Sequence, residues 1–179
     1  FVNLCEGYPQ WEVPGVDVVF CMESLNLPFT GPSTKLYDVP KELMKYIAYC
    51  EGITTPGFVL VNEMKDLDEA LRHLQFPLFV KPAHAGDSLG VDEHSLVHTK
   101  EELTDKTAGI IKEYAPLLVE EYIAGREFTA LVAGNPDGES CTVFRPVEYL
   151  FPKGKEFKTY SLKTSELHPE CNFPCTDEA

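Results

Sequence analysis

Residues 75–91, Gln-Phe-Pro-Leu-Phe-Val-Lys-Pro-Ala-His-Ala-Gly-Asp-Ser-Leu-Gly-Val, constrain the fold of this chain more than any other stretch. The apolar run Leu78-Phe79-Val80 reads as a buried strand. Lys81 is expected to end that strand, with Pro82 blocking its continuation. A loop follows, with Gly86, Ser88 and Gly90. The order places a cation at the mouth of a sheet, beside a loop whose backbone N–H groups can turn toward an anion, and phosphate is the obvious guest. The loop lacks the Gly-Lys-Ser/Thr ending of a Walker loop and the G-x-G-x-x-G spacing of a dinucleotide fold. Taken alone, the stretch also fits a strand, a surface lysine and a turn.

Charge sharpens this point. The 179 residues carry a formal net charge of −14, which argues against nucleic acid and anionic membranes as partners, since both need a basic face. A phosphate site in so acidic a chain has to be a local cluster of cations. The length suits one domain or parts of two, and the 44% apolar content is enough for a core. No run of about 18 apolar residues predicts a membrane span, and no signal peptide is visible. The chain starts inside an apolar segment, Phe1-Val2-Asn3-Leu4, without methionine, so its N-terminus is expected to lie further upstream. The cysteines Cys5, Cys21, Cys50, Cys141, Cys171 and Cys175 form no C-x-x-C pair and no zinc pattern. Most read as small buried hydrophobes, implying a reducing, cytoplasmic location.

Along the chain, Phe1–Cys5 and Leu27–Thr30 read as strands around a helix with Val18, Val19, Met22 and Leu25 on one stripe. Strand–helix–strand with short joints is an α/β pattern. A second helix is predicted from about Pro40 to Cys50, its apolar face formed by Leu43, Met44, Ile47 and Cys50, with Gly52 as a stop. A strand at Phe58–Val61 precedes a helix at Leu67–Leu74, for which Asp66 and Glu69 suggest a capping box. Thr99 and Glu102 suggest another for a helix from about Lys100 to Tyr114. Leu117-Leu118-Val119 reads as a buried strand running into Glu120 and Glu121. A strand over residues 125–132 is expected to return through Asn135-Pro136-Asp137-Gly138 to an antiparallel partner at Cys141–Tyr149. From Phe151 the chain is polar and irregular, with Lys153, Lys155, Lys158 and Lys163 close together.

Five stretches in this order resemble the ATP-grasp carboxylate–amine ligases, and most of all the D-alanine–D-alanine ligases. Asn3-Leu4-Cys5-Glu6-Gly7 is similar to a strand end in the family's N-terminal domain, and Leu27-Pro28-Phe29-Thr30-Gly31 resembles its "I-P-Y-T-G". Lys41–Lys45 with Gly52-Ile53-Thr54-Thr55-Pro56 resembles "D-K-x-x-x-K … G-I-P-T-P". Phe79-Val80-Lys81-Pro82 with residues 86–91 resembles "V-K-P … G-S-S-x-G-V". Residues 119–123 with 125–129 closely resemble the family's hinge and ribose region. The likeness is collinear from residue 1 to about 164.

The resemblance implies an α/β (α+β) ATP-grasp fold: the end of an N-terminal domain at 1–32, a central nucleotide-binding domain at 33–122 and an incomplete C-terminal catalytic domain at 123–179. It implies an enzyme that forms an amide or peptide bond through an acyl phosphate, with ATP, Mg²⁺ and small amino-acid or carboxylate substrates, and it leaves room for a homodimer. Lys45 and Lys81 would contact phosphates, and the loop of Gly86, Ser88 and Gly90 would close over them. Glu120, Glu121, Tyr122 and Ile123 would form the strand that meets the adenine edge, and Glu127 would bind the ribose hydroxyls. Lys163 would reach the γ-phosphate from a mobile loop; with Ser88 it makes the catalytic pair. Several lysines from separate elements suit phosphate, and a carboxylate suits a diol. Each residue also has a plain reading: Lys45 as a surface helix charge, Glu120 and Glu121 as alternating strand residues, Glu127 as a partner of Arg126, Lys163 as one of a charged group. His84 reads as a loop residue and Cys5 as core.

Four positions depart from the family pattern: Asp87 for the first serine of "S-S", Thr164 for a tyrosine, Glu6 for the histidine of "H-G" and Pro40 for an aspartate. They bear on the amino-acid substrate more than on ATP. The family's Mg²⁺ ligands and oxyanion arginine belong to a segment like "E-x-N" that these residues do not include, so no metal ligand is assigned and these 179 residues alone are expected to be inactive. The alternatives are a nucleotide-binding module without catalysis and an ATP-grasp ligase of another carboxylate and amine.

Overall fold

The computed structural model describes residues 1–5, 13, 15–86, 88–134, 140–151 and 157, and the backbone of 172–174. Two compact units divide the chain, Phe1–Thr55 and Pro56–Ala179.

The first unit contains α1 (Val16–Ser24) and α2 (Lys41–Cys50), with a 3₁₀ turn at Thr34–Leu36 between them. Gly15, at φ 83°, begins α1. Val19 and Met22 of the expected stripe are buried, whereas Leu25 is exposed. Glu23 near the end of α1 accepts hydrogen bonds from the Thr34 amide and hydroxyl, at 3.1 and 2.7 Å, and so holds the 3₁₀ turn. The two expected strands at Phe1–Cys5 and Leu27–Thr30 do not form a sheet. The Phe1 ammonium donates to Pro28 O and the Thr30 amide donates to Phe1 O, the bonding pattern of a parallel pair. Among the described residues no third strand joins these two short segments, which cover too little apolar surface to extend the pairing, and Phe1, Val2 and Leu4 are exposed. The apolar face predicted for α2 is not buried either: Leu43, Met44 and Ile47 are exposed. Gly52 ends α2 at φ 71°, as expected.

The second unit is built on an antiparallel sheet of order β1-β4-β2-β3, with β1 Phe58–Val61, β2 Leu78–Pro82, β3 Leu96–Val97 and β4 Leu117–Glu121. Two helices, α3 (Leu67–His73) and α4 (Lys100–Tyr114), lie on one face. Val59, Val61, Leu78, Val80, Val97, Leu117 and Val119 from the sheet meet Leu67, Ala70 and Leu103 in a continuous core. At roughly 25 cal/mol per Å² of apolar surface, this layer is the main source of the unit's stability. Thr99 caps α4 as expected, its hydroxyl accepting from the Glu102 amide at 3.2 Å. Glu102 reaches one residue further back than a standard box and accepts from the His98 amide at 2.7 Å. The Asp66–Glu69 box does not form. Asp66 instead accepts from the Asn62 and Glu63 amides and closes the 3₁₀ turn Met64–Asp66 that precedes α3.

Lys81 does not end its strand. Lys81 and Pro82 both belong to β2 and pair with Leu118 and Leu117 of β4. The proline is accommodated by register. The Val80 amide points toward β3, donating to Ser95 O at 2.8 Å, so the next position of that phase is Pro82, where β3 has already ended.

The expected hairpin forms in two pieces: β5 (Glu127–Thr129) pairs with β8 (Val147–Tyr149), and β6 (Val132–Gly134) with β7 (Cys141–Val143). Its turn, 135–138, lies outside the described residues. A further strand that the polar sequence hid, β9 (Asn172–Pro174), pairs with β8. Cys5, Cys21, Cys50 and Cys141 are free and exposed rather than buried; Cys171 and Cys175 lie outside the described residues. No helix among the described residues is long and apolar enough to cross a membrane.

Candidate functional site

The face of the sheet away from α3 and α4 carries the predicted residues Lys81 and Glu120. Strand alternation sends Val80 and Val119 into the core and Phe79, Lys81, Leu118 and Glu120 to this second face. Register lines up Phe58, Glu120 and Phe79 across three strands, with Leu60, Leu118 and Lys81 in the adjacent row. Lys81 and Glu120 are therefore diagonal neighbours, and the Lys81 ammonium donates to Glu120 Oε1. The Glu120 side chain is 11% exposed and that of Lys81 25%. Removing charges from water to this degree costs free energy that only close pairing offsets. The ammonium also stands 5.8 Å from the centroid of the Phe79 ring. Phe79 stacks on Tyr122 at 6.3 Å and meets Phe157 edge-on at 4.9 Å. An apolar aromatic floor thus adjoins a cation and a carboxylate.

Glu121 points the other way. Its carboxylate accepts from the Gln75 amide at 2.9 Å and its own amide donates to Gly57 O. The Tyr122 amide donates to Pro77 O, and Ile123 is exposed. Of the two adjacent glutamates, only Glu120 presents its side chain to the second face.

The glycine loop leaves β2 as two successive turns, Leu89 N–H to Gly86 O and Val91 N–H to Ser88 O, both 3.0 Å. Ser88 adopts φ 59°, an uncommon conformation for a residue with a side chain. Gly90 sits at φ 72°, and a Cβ there would lie 2.8 Å from Pro82 Cγ. Glycine is required at 90 on both counts. Asp87 lies outside the described residues.

The sequence reading missed what holds the loop's exit. Lys106 of α4, its side chain 5% exposed, donates to Gly90 O at 3.0 Å and to Asp92 Oδ1 at 2.8 Å. Asp92 also accepts from the His94 amide, and its own amide donates to Ser95 Oγ. Burial pushes the Asp92 carboxyl upward, but the Lys106 hydrogen bond and charge, with the His94 amide, outweigh it and hold it below the ordinary value. The available signal was a lysine inside the apolar stripe of α4, three residues after Leu103 and four before Ile110. Phe157 opens the stretch that resembles the family's mobile loop, but its ring contact with Phe79 is tertiary and follows no local pattern.

Glu127 opens β5 opposite Tyr149. Its neighbour Arg126 makes a two-pronged pair with Glu148, 2.7 Å at each oxygen, so Arg126 is engaged with β8 rather than with Glu127. Lys45 is half-buried on α2 in the first unit. Lys163 and Thr164 lie outside the described residues. Among the described residues, no three His, Cys, Asp or Glu side chains gather to hold a metal ion.

Comparison with known proteins shows what the chain as a whole is similar to. Residues 49–176 match the family described as "D-ala D-ala ligase C-terminus". The chain belongs to this family. It is similar to a D-alanine–D-alanine ligase of Pseudoalteromonas translucida, at 34% identity over 154 residues, covering 82% of this chain and 47% of the relative. Among solved structures it is similar to the VanG D-Ala:D-Ser ligase of Enterococcus faecalis, with TM-score 0.67 and 26% identity over 79% of this chain and 41% of that one. It is similar too to the D-alanine–D-alanine ligase of Helicobacter pylori, with TM-score 0.61 and 26% identity over 88% and 49%. The chain thus spans about half the length of the relatives it matches. The ligase-family membership and the mixed α/β architecture expected from the motifs both hold.

Proposed function

We propose that this chain supplies the nucleotide grip of an ATP-dependent ligase that joins a carboxylate to an amine, in the manner of D-alanine–D-alanine ligases. The observation that carries the reading is the Lys81 ammonium on the sheet's second face, paired with Glu120 and followed at once by the glycine loop. An ammonium has three donors, so Lys81 can hold Glu120 and a phosphate oxygen together. The loop of Gly86, Ser88 and Gly90 offers backbone N–H groups to the phosphates, with Ser88 beside them. The backbone of Glu120 to Ile123 meets the adenine edge, with Phe79 and Tyr122 as an apolar floor. Glu127 accepts from the ribose hydroxyls. Lys45 adds a second phosphate contact and Lys163 a third.

In this reading a substrate carboxylate oxygen attacks the γ-phosphorus and ADP leaves. The amine then adds to the acyl carbon, a proton is lost and phosphate departs. Positioning and charge stabilisation are the protein's part in both steps. Mg²⁺ belongs to the same reading; its protein ligands would come from the family's "E-x-N" segment, and among the described residues no three His, Cys, Asp or Glu side chains gather. The division at 1–32, 33–122 and 123–179, a cytoplasmic location and a homodimer complete the proposal.

The test is ADP release by the full-length protein with ATP, Mg²⁺ and a panel of amino acids. D-alanine-dependent release supports the narrow form. Asp87, Thr164 and Glu6 favour a second form, in which release follows another amine such as D-serine. Nucleotide binding without turnover on any amine would favour the non-catalytic module, and absence of nucleotide binding would overturn the proposal.

A further inference from the structure

We propose that Lys106 is the positioning residue of the glycine loop, acting through Gly90 and Asp92; the inference rests on the nucleotide reading above. A lysine with its side chain 5% exposed in mid-helix is costly unless its charge is fully used. Both of its acceptors lie on the loop's exit: the carbonyl of Gly90, the loop's last glycine, and the carboxylate of Asp92, two residues on. The exit is tied down on its other side as well. Gly90 packs against Pro82, and the fully buried Ser95 accepts from the Asp92 amide while its own carbonyl accepts from the Val80 amide. Val80 is the residue before Lys81.

Lys106 therefore sets the distance between the end of the loop and the strand that carries the phosphate-facing ammonium. It does this without touching the second face. The carbonyl of Gly90 is turned inward to Lys106, and the Val91 amide of the same peptide is held by Ser88 O, so the loop's exit is fixed on both sides of that peptide. A loop with both ends fixed loses less freedom on holding an anion than one fixed at β2 alone. Asp92, half-exposed, completes the clamp and neutralises the buried charge.

The experiment uses the full-length protein and its Lys106→Met, Lys106→Arg and Asp92→Asn variants. Amide exchange is followed by mass spectrometry without ligand, and ATP affinity by calorimetry. For Lys106→Met, exchange at residues 88–92 accelerates while β1 and α3 keep wild-type protection, and the ATP Kd rises about tenfold, the scale of one charged hydrogen bond. Lys106→Arg restores part of the affinity, and Asp92→Asn shows a weaker form of the same effect. Because Asp92 is half-exposed, its variant still reads the clamp if Lys106→Met fails to fold. Unchanged loop exchange and Kd, or acceleration spread equally over β1 and α3, would overturn the clamp. Accelerated loop exchange in a protein that binds no ATP would uphold the clamp and overturn the nucleotide reading.

Discussion

Lys81 illustrates how strand geometry concentrates charge. One strand position decides that its ammonium meets Glu120 on the second face rather than the core valines beside it. The pair was legible only in part. The sequence contains both residues, but the diagonal contact depends on the register of β2 against β4, set by the core side chains. The two adjacent glutamates were ambiguous for the same reason, and alternation separates them: Glu120 to the site, Glu121 to the Gln75 amide. Lys81→Met in the full-length protein removes the ammonium and leaves Glu120 partly buried opposite any phosphate. ATP affinity should fall about 10- to 100-fold, the range of charged hydrogen bonds. Calorimetric titration checks this, and wild-type affinity in the variant would remove Lys81 from the phosphate site.

At the scale of elements, α4 was the most legible piece because its cap, its apolar stripe and its length agreed. Thr99→Ala should cost about 1 kcal/mol, the usual value of a helix N-cap, with urea unfolding as the measurement. The side-chain acceptor for the Glu102 amide would be lost, but the core contact of Leu103 would remain. The segments Phe1–Cys5 and Leu27–Thr30 pair through only two backbone hydrogen bonds, because two short, largely exposed segments bury too little apolar surface to extend a sheet, which local apolar content does not reveal. The helix box at Asp66 was misread by one turn: the carboxylate is the same, but the free amides nearest to it belong to Asn62 and Glu63. Motif order identified the loop. What anchors it is a tertiary contact from a helix sixteen residues beyond Gly90, which no local pattern encodes.

For the whole molecule, acid is the informative perturbation. Asp92 and Asp66 both titrate below the ordinary carboxylate value in the folded chain, Asp66 through the Glu63 and Asn62 amides. A depressed folded value means that the unfolded chain binds the proton first. Their stabilisation is therefore complete above the ordinary carboxylate pKa of about 3.9 and is lost as pH falls through the folded values. Asp92→Asn should be less stable than the parent at pH 6, and the gap should narrow below about pH 4. Urea midpoints across that range test the sign, and a gap that widens in acid would refute it.

Pro82 has a consequence for how the molecule meets its own kind. Past the two residues of β3, β2 continues as a bare sheet edge, and among the described residues no strand pairs with that side of Lys81 and Pro82. Such an edge is a template on which another chain can add a strand and begin to aggregate. Here the position that would offer an N–H outward is an imino acid, and Gly90 lies against its ring. The glycine loop can remain accessible to a small anion beside an edge that has no hydrogen to give to a neighbouring backbone.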